Sequence, residues 1–384
     1  MTEKLYYEDS HRTEFDAVVL TCEAADGGFW VTLDRTAFYP TGGGQDADTG
    51  TLGGAAVSDV AESDGQIRHF CDRPLAVGAS VHGCVDWATR FFRMQQHSGE
   101  HIVSGLIHQY HGYDNVGFHM GKDCMTLDFS GPLSDEDLRR VERDANEIVA
   151  KNLPVKTSFH ESGTLKEVAY RSKKALEGTV RLVEIPHADL CACCGTHVDF
   201  TGEIGLILFL GREKFKGGTR VELVCGSAAV ERAFCHGDQC RDAGALLSVK
   251  PDEVVDGVRR ILQESGEQKL KIAQLSRQWL LATAEKYRSH GDVVLFFQPM
   301  ENSLLGKLAA AVADVCGGYC TAAYPSENGF FFAMSHREKD VRPLCKELLA
   351  RFGGRGGGKP ALAQGTVAAA KAELTAYLEE AYQA

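Results

Sequence analysis

The chain has 384 residues, with 53 acidic and 41 basic side chains and a formal charge of −12 at pH 7. That length exceeds one core and suggests about two to four domains, while the acidity excludes a protein that coats nucleic acid without specificity. No apolar run approaches the roughly 20 residues that span a bilayer, and the opening MTEKLYYEDS lacks the basic-then-apolar order of a secretory signal. The expectation is a cytoplasmic protein with no membrane partner, whose 13 cysteines are reduced thiols or metal ligands.

Residues 1–87 alternate short β-like runs (AVVLTCE, FWVTL, AAVSDV, IRHFC) with Gly/Asp turns, which predicts a small antiparallel sheet or barrel. From Asp86 the texture changes. Helices are predicted from Trp87 to His111 and from Ser134 to Asn152, the second opened by a Ser134 cap with acidic residues in its first turn. VRLVEIP and IGLILFLGR read as strands, so residues 88–235 are mixed α+β in two layers. From Ala228 to about Ser289 the chain is mainly helical, with an apolar stripe at Val258, Ile261, Ile272, Leu275 and Trp279. Ser265 and Gly266 interrupt it, so residues 236–290 read as a helical hairpin or short coiled coil. Residues 291–384 open on the buried-strand run DVVLFFQ and continue as an α/β domain with a Gly-rich loop, FGGRGGGKPALAQG.

Two short motifs carry the chemistry. In His97-Ser98-Gly99-Glu100-His101 the histidines are four apart and share a helix face, so both imidazoles can reach one ion. Cys193-Cys194-Gly195-Thr196-His197 supplies a thiolate and an imidazole at the same spacing. Together His97, His101, Cys193 and His197 form a tetrahedral set suited to one Zn²⁺. His97–His101 also fits H-x-x-E-H, the inverted zinc-peptidase motif, with Glu100 as general base. The rest of the chain offers no peptidase context, and such a site needs no Cys-x-x-x-His. His119, in VGFHMG, is a candidate for shaping the pocket or for proton transfer.

These motifs carry a resemblance. Asp34-Arg35-Thr36-Ala37-Phe38-Tyr39-Pro40-Thr41-Gly42-Gly43-Gly44-Gln45, then Arg93–His101, then Cys193–Val198, and finally Lys216–Glu222 resemble, in order and spacing, the AlaX-type alanyl-tRNA editing proteins and the editing domain of alanyl-tRNA synthetase. Gly353–Pro360 with Ala363-Gln364-Gly365 resembles the terminal domain of that synthetase. The resemblance implies a long-form editing protein divided into a β domain (1–87), a zinc-binding deacylase domain (88–235), a helical linker (236–290) and a tRNA-binding domain (291–384). Cys193 is the ligand by spacing, though Cys191 or Cys194 could take its place. Glu100 reads as a partner of the ligands or, preferably, as a solvated helix residue.

The implied reaction is zinc-dependent hydrolysis of the ester joining serine, and also glycine, to tRNA(Ala). No aminoacylation domain precedes the editing motifs, which implies uptake of released aminoacyl-tRNA. Serine differs from alanine by one hydroxyl, which an apolar pocket rejects only partly. A second site that hydrogen-bonds that hydroxyl can reject alanine by about 10⁴-fold. The resemblance points to Thr36 for this role, with Gln45 as a further candidate. The window Phe331–Pro360 holds seven Lys/Arg against three acids. Arg355 and Lys359, flanking Gly356, Gly357 and Gly358, are therefore expected to meet RNA phosphate. The apolar helical stripe points to a homodimer. The competing classes are the peptidase and a non-catalytic tRNA-binding protein.

Overall fold

The computed structural model describes residues 1–121, 123–165, 168–172 and 178–383, and divides into two compact units, Met1–Asp242 and Ala243–Ala384. The first unit begins with a closed six-stranded barrel. Its strands run in the order Glu14–Ala25, Gly28–Leu33, Gln66–Cys71, Ala55–Ser63, Gly50–Leu52, Ser80–Val85. Glu14–Ala25 alternates inward Phe15, Ala17 and Val19 with outward Glu14, Asp16 and Val18, the period-two pattern of a half-buried strand. Asp64 and Gly65 both take positive φ, giving a two-residue turn whose twist matches the flanking strands. Val31, Leu33, Val60 and Ile67 fill the interior.

Helix α1 (Trp87–His111) follows the barrel at once. The Asp86 side chain caps it by accepting from the amides of Ala88 and Thr89, and Gly112, at φ +70°, ends it. Arg90 fastens this helix to the barrel. Its fully buried guanidinium grips Asp48 and donates to the carbonyls of Ser10 (2.8 Å) and Ala37 (2.6 Å). Helix α2 (Asp135–Ala150) is opened by a capping box in which Ser134 and Asp137 satisfy each other's amides.

Both helices lie on a four-stranded antiparallel sheet in the order Ile207–Phe215, Gly218–Cys225, Met125–Phe129, Asn115–Met120. Ile102, Leu106, Val141, Ile148, Leu127 and Leu223 lock the two layers together. A smaller sheet of Lys156–Glu161, Thr179–Ile185 and Asp189–Ala192 leads directly into Cys193.

Helix α3 (Ser227–Leu247) precedes α4 (Val254–Glu285), and residues 248–253 connect them. The expected break at Ser265-Gly266 is absent: α4 runs through both residues without interruption. Glycine there costs only about 1 kcal/mol, which a 32-residue helix tolerates. Val258, Ile261, Leu262, Leu270, Ile272, Leu275, Trp279 and Leu281 are all exposed.

The terminal sheet has the order Gly291–Phe296, Gly317–Ser326, Gly329–Ser335, Leu362–Val367, Gly354–Lys359. Its first pair is parallel and the rest antiparallel. Helix α5 (Asn302–Cys316) contributes to one apolar cluster, and α6 (Arg342–Phe352) and α7 (Lys371–Gln383) to another. The glycine run expected as a loop is instead the edge strand Gly354–Lys359, exposed along its whole length. A Cβ on Gly356 would meet the Gln364 carbonyl oxygen at 2.5 Å and one on Gly358 the Leu362 carbonyl oxygen at 2.1 Å, so these glycines permit close pairing with the neighbouring strand.

Candidate metal centre and cleft

Helix α1 presents His97 and His101 one turn apart, both buried. The chain leaving Asp189–Ala192 brings Cys193 and His197 against them. One ligand-type atom from each of the four residues falls within 4.8 Å of the others. Two close approaches make this possible. A Cβ on Gly195 would lie 2.1 Å from Cε1 of His97, and one on Gly105 would lie 2.2 Å from the Ala188 carbonyl oxygen. Glycine at both positions lets the loop and the helix meet.

Each imidazole is oriented by a further side chain. Nδ1 of His97 donates to Oε1 of Gln45 (2.9 Å), and Nδ1 of His101 donates to Asp189 (3.0 Å). Oγ of Ser98 lies 3.2 Å from Nδ1 of His197. With Nδ1 committed, Nε2 of His97 and of His101 is left for the cluster. Sγ of Cys193 is 3.3 Å from Nε2 of His97 and 3.5 Å from Nε2 of His197. Asp189 is itself gripped by the Arg171 fork, with both N···O distances 2.7 Å.

The electrostatics follow from this packing. Burial alone would raise the Cys193 thiol, but His97 and the hydrogen bonds from His101, His197 and His97 hold it well below its ordinary value. Burial pushes His197 down to about 3, with the charge of His97 adding to it. Burial also opposes ionised Asp189, yet Arg171 and His101 keep it below the usual carboxylate range. Thiolate is the form of cysteine that binds metal, and neutral imidazole the form of histidine. Three imidazoles and one thiolate, oriented by outer partners, fit a tetrahedral zinc site.

His97, His101 and Cys193 of this cluster line an open cleft of about 1420 Å³. Gly43, Gly44 and Phe118 form part of its wall, with Arg171, Arg181 and the chain from Glu184 to Cys194 around it. Phe118 packs 5.5 Å, centroid to centroid, from His97. Arg181 donates to the carbonyls of Cys193 and Gly195, both at 2.9 Å, and so fixes the ligand loop.

Other residues singled out in the sequence fall elsewhere. Thr36 is fully buried in the barrel region, its hydroxyl 2.8 Å from Nε2 of His69 and accepting from the Phe38 amide at 3.0 Å; it does not line the cleft. Gln45 is also buried. Its Nε2 donates to Thr196 (2.9 Å) while its Oε1 holds His97, so its amide is occupied by the ligand residues. His119 is exposed, whereas Phe118 beside it faces the cleft, because successive residues of a strand face opposite ways. Cys194 is exposed and Cys191 joins a separate grouping with His101 and Asp189, leaving Cys193 as the thiol that meets all three imidazoles.

Glu100 is not solvated: it is buried at 4% exposure and lines the cleft. Sequence reasoning missed Asp189, Arg171 and Arg181: Asp189 and Arg181 stand inside strands, and Arg171 lies outside the named strands with no local signal. Arg355, Lys359 and Gly356–Gly358 lie in the other unit, on its exposed edge strand.

Comparison with known proteins agrees with this architecture. Residues 180–222 match the family model of the threonyl and alanyl tRNA synthetase second additional domain. Residues 5–89 match that of class II (A) tRNA synthetases. An alanyl-tRNA editing protein, AlaX-L, of Pyrococcus horikoshii is 28% identical over 97% of this chain and 96% of its own length. The alanine–tRNA ligase of Methanopyrus kandleri is 34% identical over 95% of this chain, and that of Natronomonas pharaonis 38% over 76%. This chain spans only 42% and 32% of those two ligases.

Proposed function

We propose that this chain, a relative of the AlaX-type alanyl-tRNA editing proteins over nearly its whole length, hydrolyses the ester bond of tRNA(Ala) mischarged with serine, and also with glycine. The observation that carries the reading is the convergence of His97, His101, Cys193 and His197, the first three of them in the wall of the cleft. Zinc bound by these four residues would supply a Lewis acid beside an ester carbonyl. The chain's own residues do the positioning. Gln45 and Asp189 hold two ligand rings, Arg181 holds the ligand loop, and Phe118 and the Gly43–Gly44 backbone bound the space for a small amino acid. Thr36 and Gln45 act in this reading through the groups they hold. They brace the barrel and the His97 ring rather than touching the amino acid.

In the same reading Arg355 and Lys359, on the exposed Gly354–Lys359 strand, meet the phosphates of the tRNA. The exposed apolar residues of α4 pair two chains. The test is release of amino acid from Ser-, Gly- and Ala-tRNA(Ala). Serine and glycine are expected to be freed while alanine stays bound. Equal turnover of all three, or none, would remove the proposal.

A further inference from the structure

We propose that Glu100 binds the α-ammonium group of the aminoacyl ester, so that the cleft accepts a free amino acid and rejects one whose nitrogen is blocked. This rests on the functional reading above and adds the group that recognises the amine. Glu100 sits on α1 between the two histidines, buried yet lining the cleft. One carboxylate oxygen, Oε1, accepts from the Ser104 hydroxyl (2.7 Å) and the Asn115 amide nitrogen (2.6 Å). Asn115 also donates to Ser104 at 2.9 Å, so the three side chains lock one another.

The other oxygen, Oε2, accepts no hydrogen bond from any described residue, and lies 3.8 Å from Nε2 of His101, on the side of the ring that faces the cluster. The other acids of the cleft are otherwise engaged or more exposed. Asp189 is held by Arg171 and His101, Asp114 pairs with His108, and Glu184 is exposed.

A buried carboxylate with open acceptor capacity is costly until a cation meets it. In an aminoacyl ester the α-nitrogen is two bonds from the carbonyl carbon. A carbonyl placed at the cluster therefore brings the ammonium within reach of Oε2. An acetylated nitrogen has lost its charge and gained bulk at that point. The cleft would then spare chains that carry a blocked or peptide-linked nitrogen.

The test uses the full-length, zinc-loaded protein and calorimetric binding of three hydrolysis-resistant probes. These are 3′-amino-3′-deoxyadenosine bearing seryl in amide linkage, its N-acetyl derivative, and the form in which a hydroxyl replaces the amine. The free-amine probe is expected to bind the wild type about tenfold or more tighter than the others, as a charge-assisted hydrogen bond implies. Glu100→Gln is expected to bind all three alike with its zinc content and melting temperature unchanged. Equal binding of the three by the wild type, or a preference retained in Glu100→Gln, overturns the inference. Should Glu100→Gln not fold, the three-probe comparison on the wild type decides it. Binding without amine preference, in a protein that still frees serine from tRNA, defeats the inference and leaves the functional reading standing. Failure to bind any probe, in a protein that also frees no serine, defeats both.

Discussion

In residues 1–242 the candidate ligands are buried or half-buried, and each of the three imidazoles meets a further side chain. In residues 243–384 the features that stand out, the apolar face of α4 and the glycine-rich strand, face solvent. His97, His101 and Cys193 touch partners on every side, so altering one disturbs the others. Ile272, Leu275 and Lys359 sit in the open, where a change is expected to matter only once a partner arrives. The comparison separates residues whose effect is intrinsic to the fold from residues whose effect depends on association.

The strongest attempt to break the comparison is to remove the ligands. His97→Ala with His101→Ala is expected to take zinc from about one ion per chain to none, measured by metal analysis after dialysis. Full occupancy in the double variant would refute the ligand assignment. Asp189→Asn leaves the ligands in place but unlocks the His101 ring and leaves Arg171 without its carboxylate partner. A loss of about 10–100-fold in zinc affinity or turnover is expected. A change under twofold by competitive chelation would show that the ring needs no such support.

Cutting the chain after Asp242 tests the other side. The remnant is expected to keep its zinc and to lose tRNA affinity by about tenfold. The slope of log affinity against log salt should flatten by about 0.7–0.9 for each phosphate contact removed. Equal slopes for the cut and intact proteins would show that residues 243–384 hold no tRNA.

A smaller effect distinguishes burial from mere position. Burial pushes His69, in the barrel, down to about 4, against 6.5 for an exposed imidazole. The unfolded chain therefore binds a proton that the folded one refuses between these values. Stability is full above pH 6.5 and falls as pH drops towards 4, by about 3 kcal/mol at most. His69→Asn should flatten this part of the urea midpoint-versus-pH curve, and an unchanged curve would show that His69 is not its source.

The smallest intrinsic effect is expected on α4. Ile272→Asp should change the stability of the isolated chain by no more than about 0.5 kcal/mol. It should still shift the mass measured by light scattering from dimer to monomer. A monomeric wild type would remove the pairing altogether.

The sequence by itself determined the elements whose cause is local. Ser134 and Asp137 cap α2 because side chains three residues apart reach each other's amides. The alternation in Glu14–Ala25 sets which strand face is buried. The two His/Cys motifs were legible because few residue types bind a soft cation, and a four-residue spacing places them on one side of a helix or loop. Only the tertiary structure decided what lies around them. Asp189, Arg171 and Glu100 are acids and bases like many others in the chain; the approach of the strand Asp189–Ala192 to α1 pairs Asp189 with His101 and Arg171, and Asn115 joins Ser104 in holding Glu100. Thr36 lies close in sequence to the cleft-lining glycines yet turns into the barrel, because its hydroxyl has His69 and the Phe38 amide to bond. In α4 the period of the apolar residues was plain, but Ser265 and Gly266 did not break it. A helix end needs a cap or a competing partner, and neither residue finds one there. Local rules fix what a segment prefers, while packing decides which of its groups meet, since contacts between residues 50 or 100 apart leave no trace in either neighbourhood.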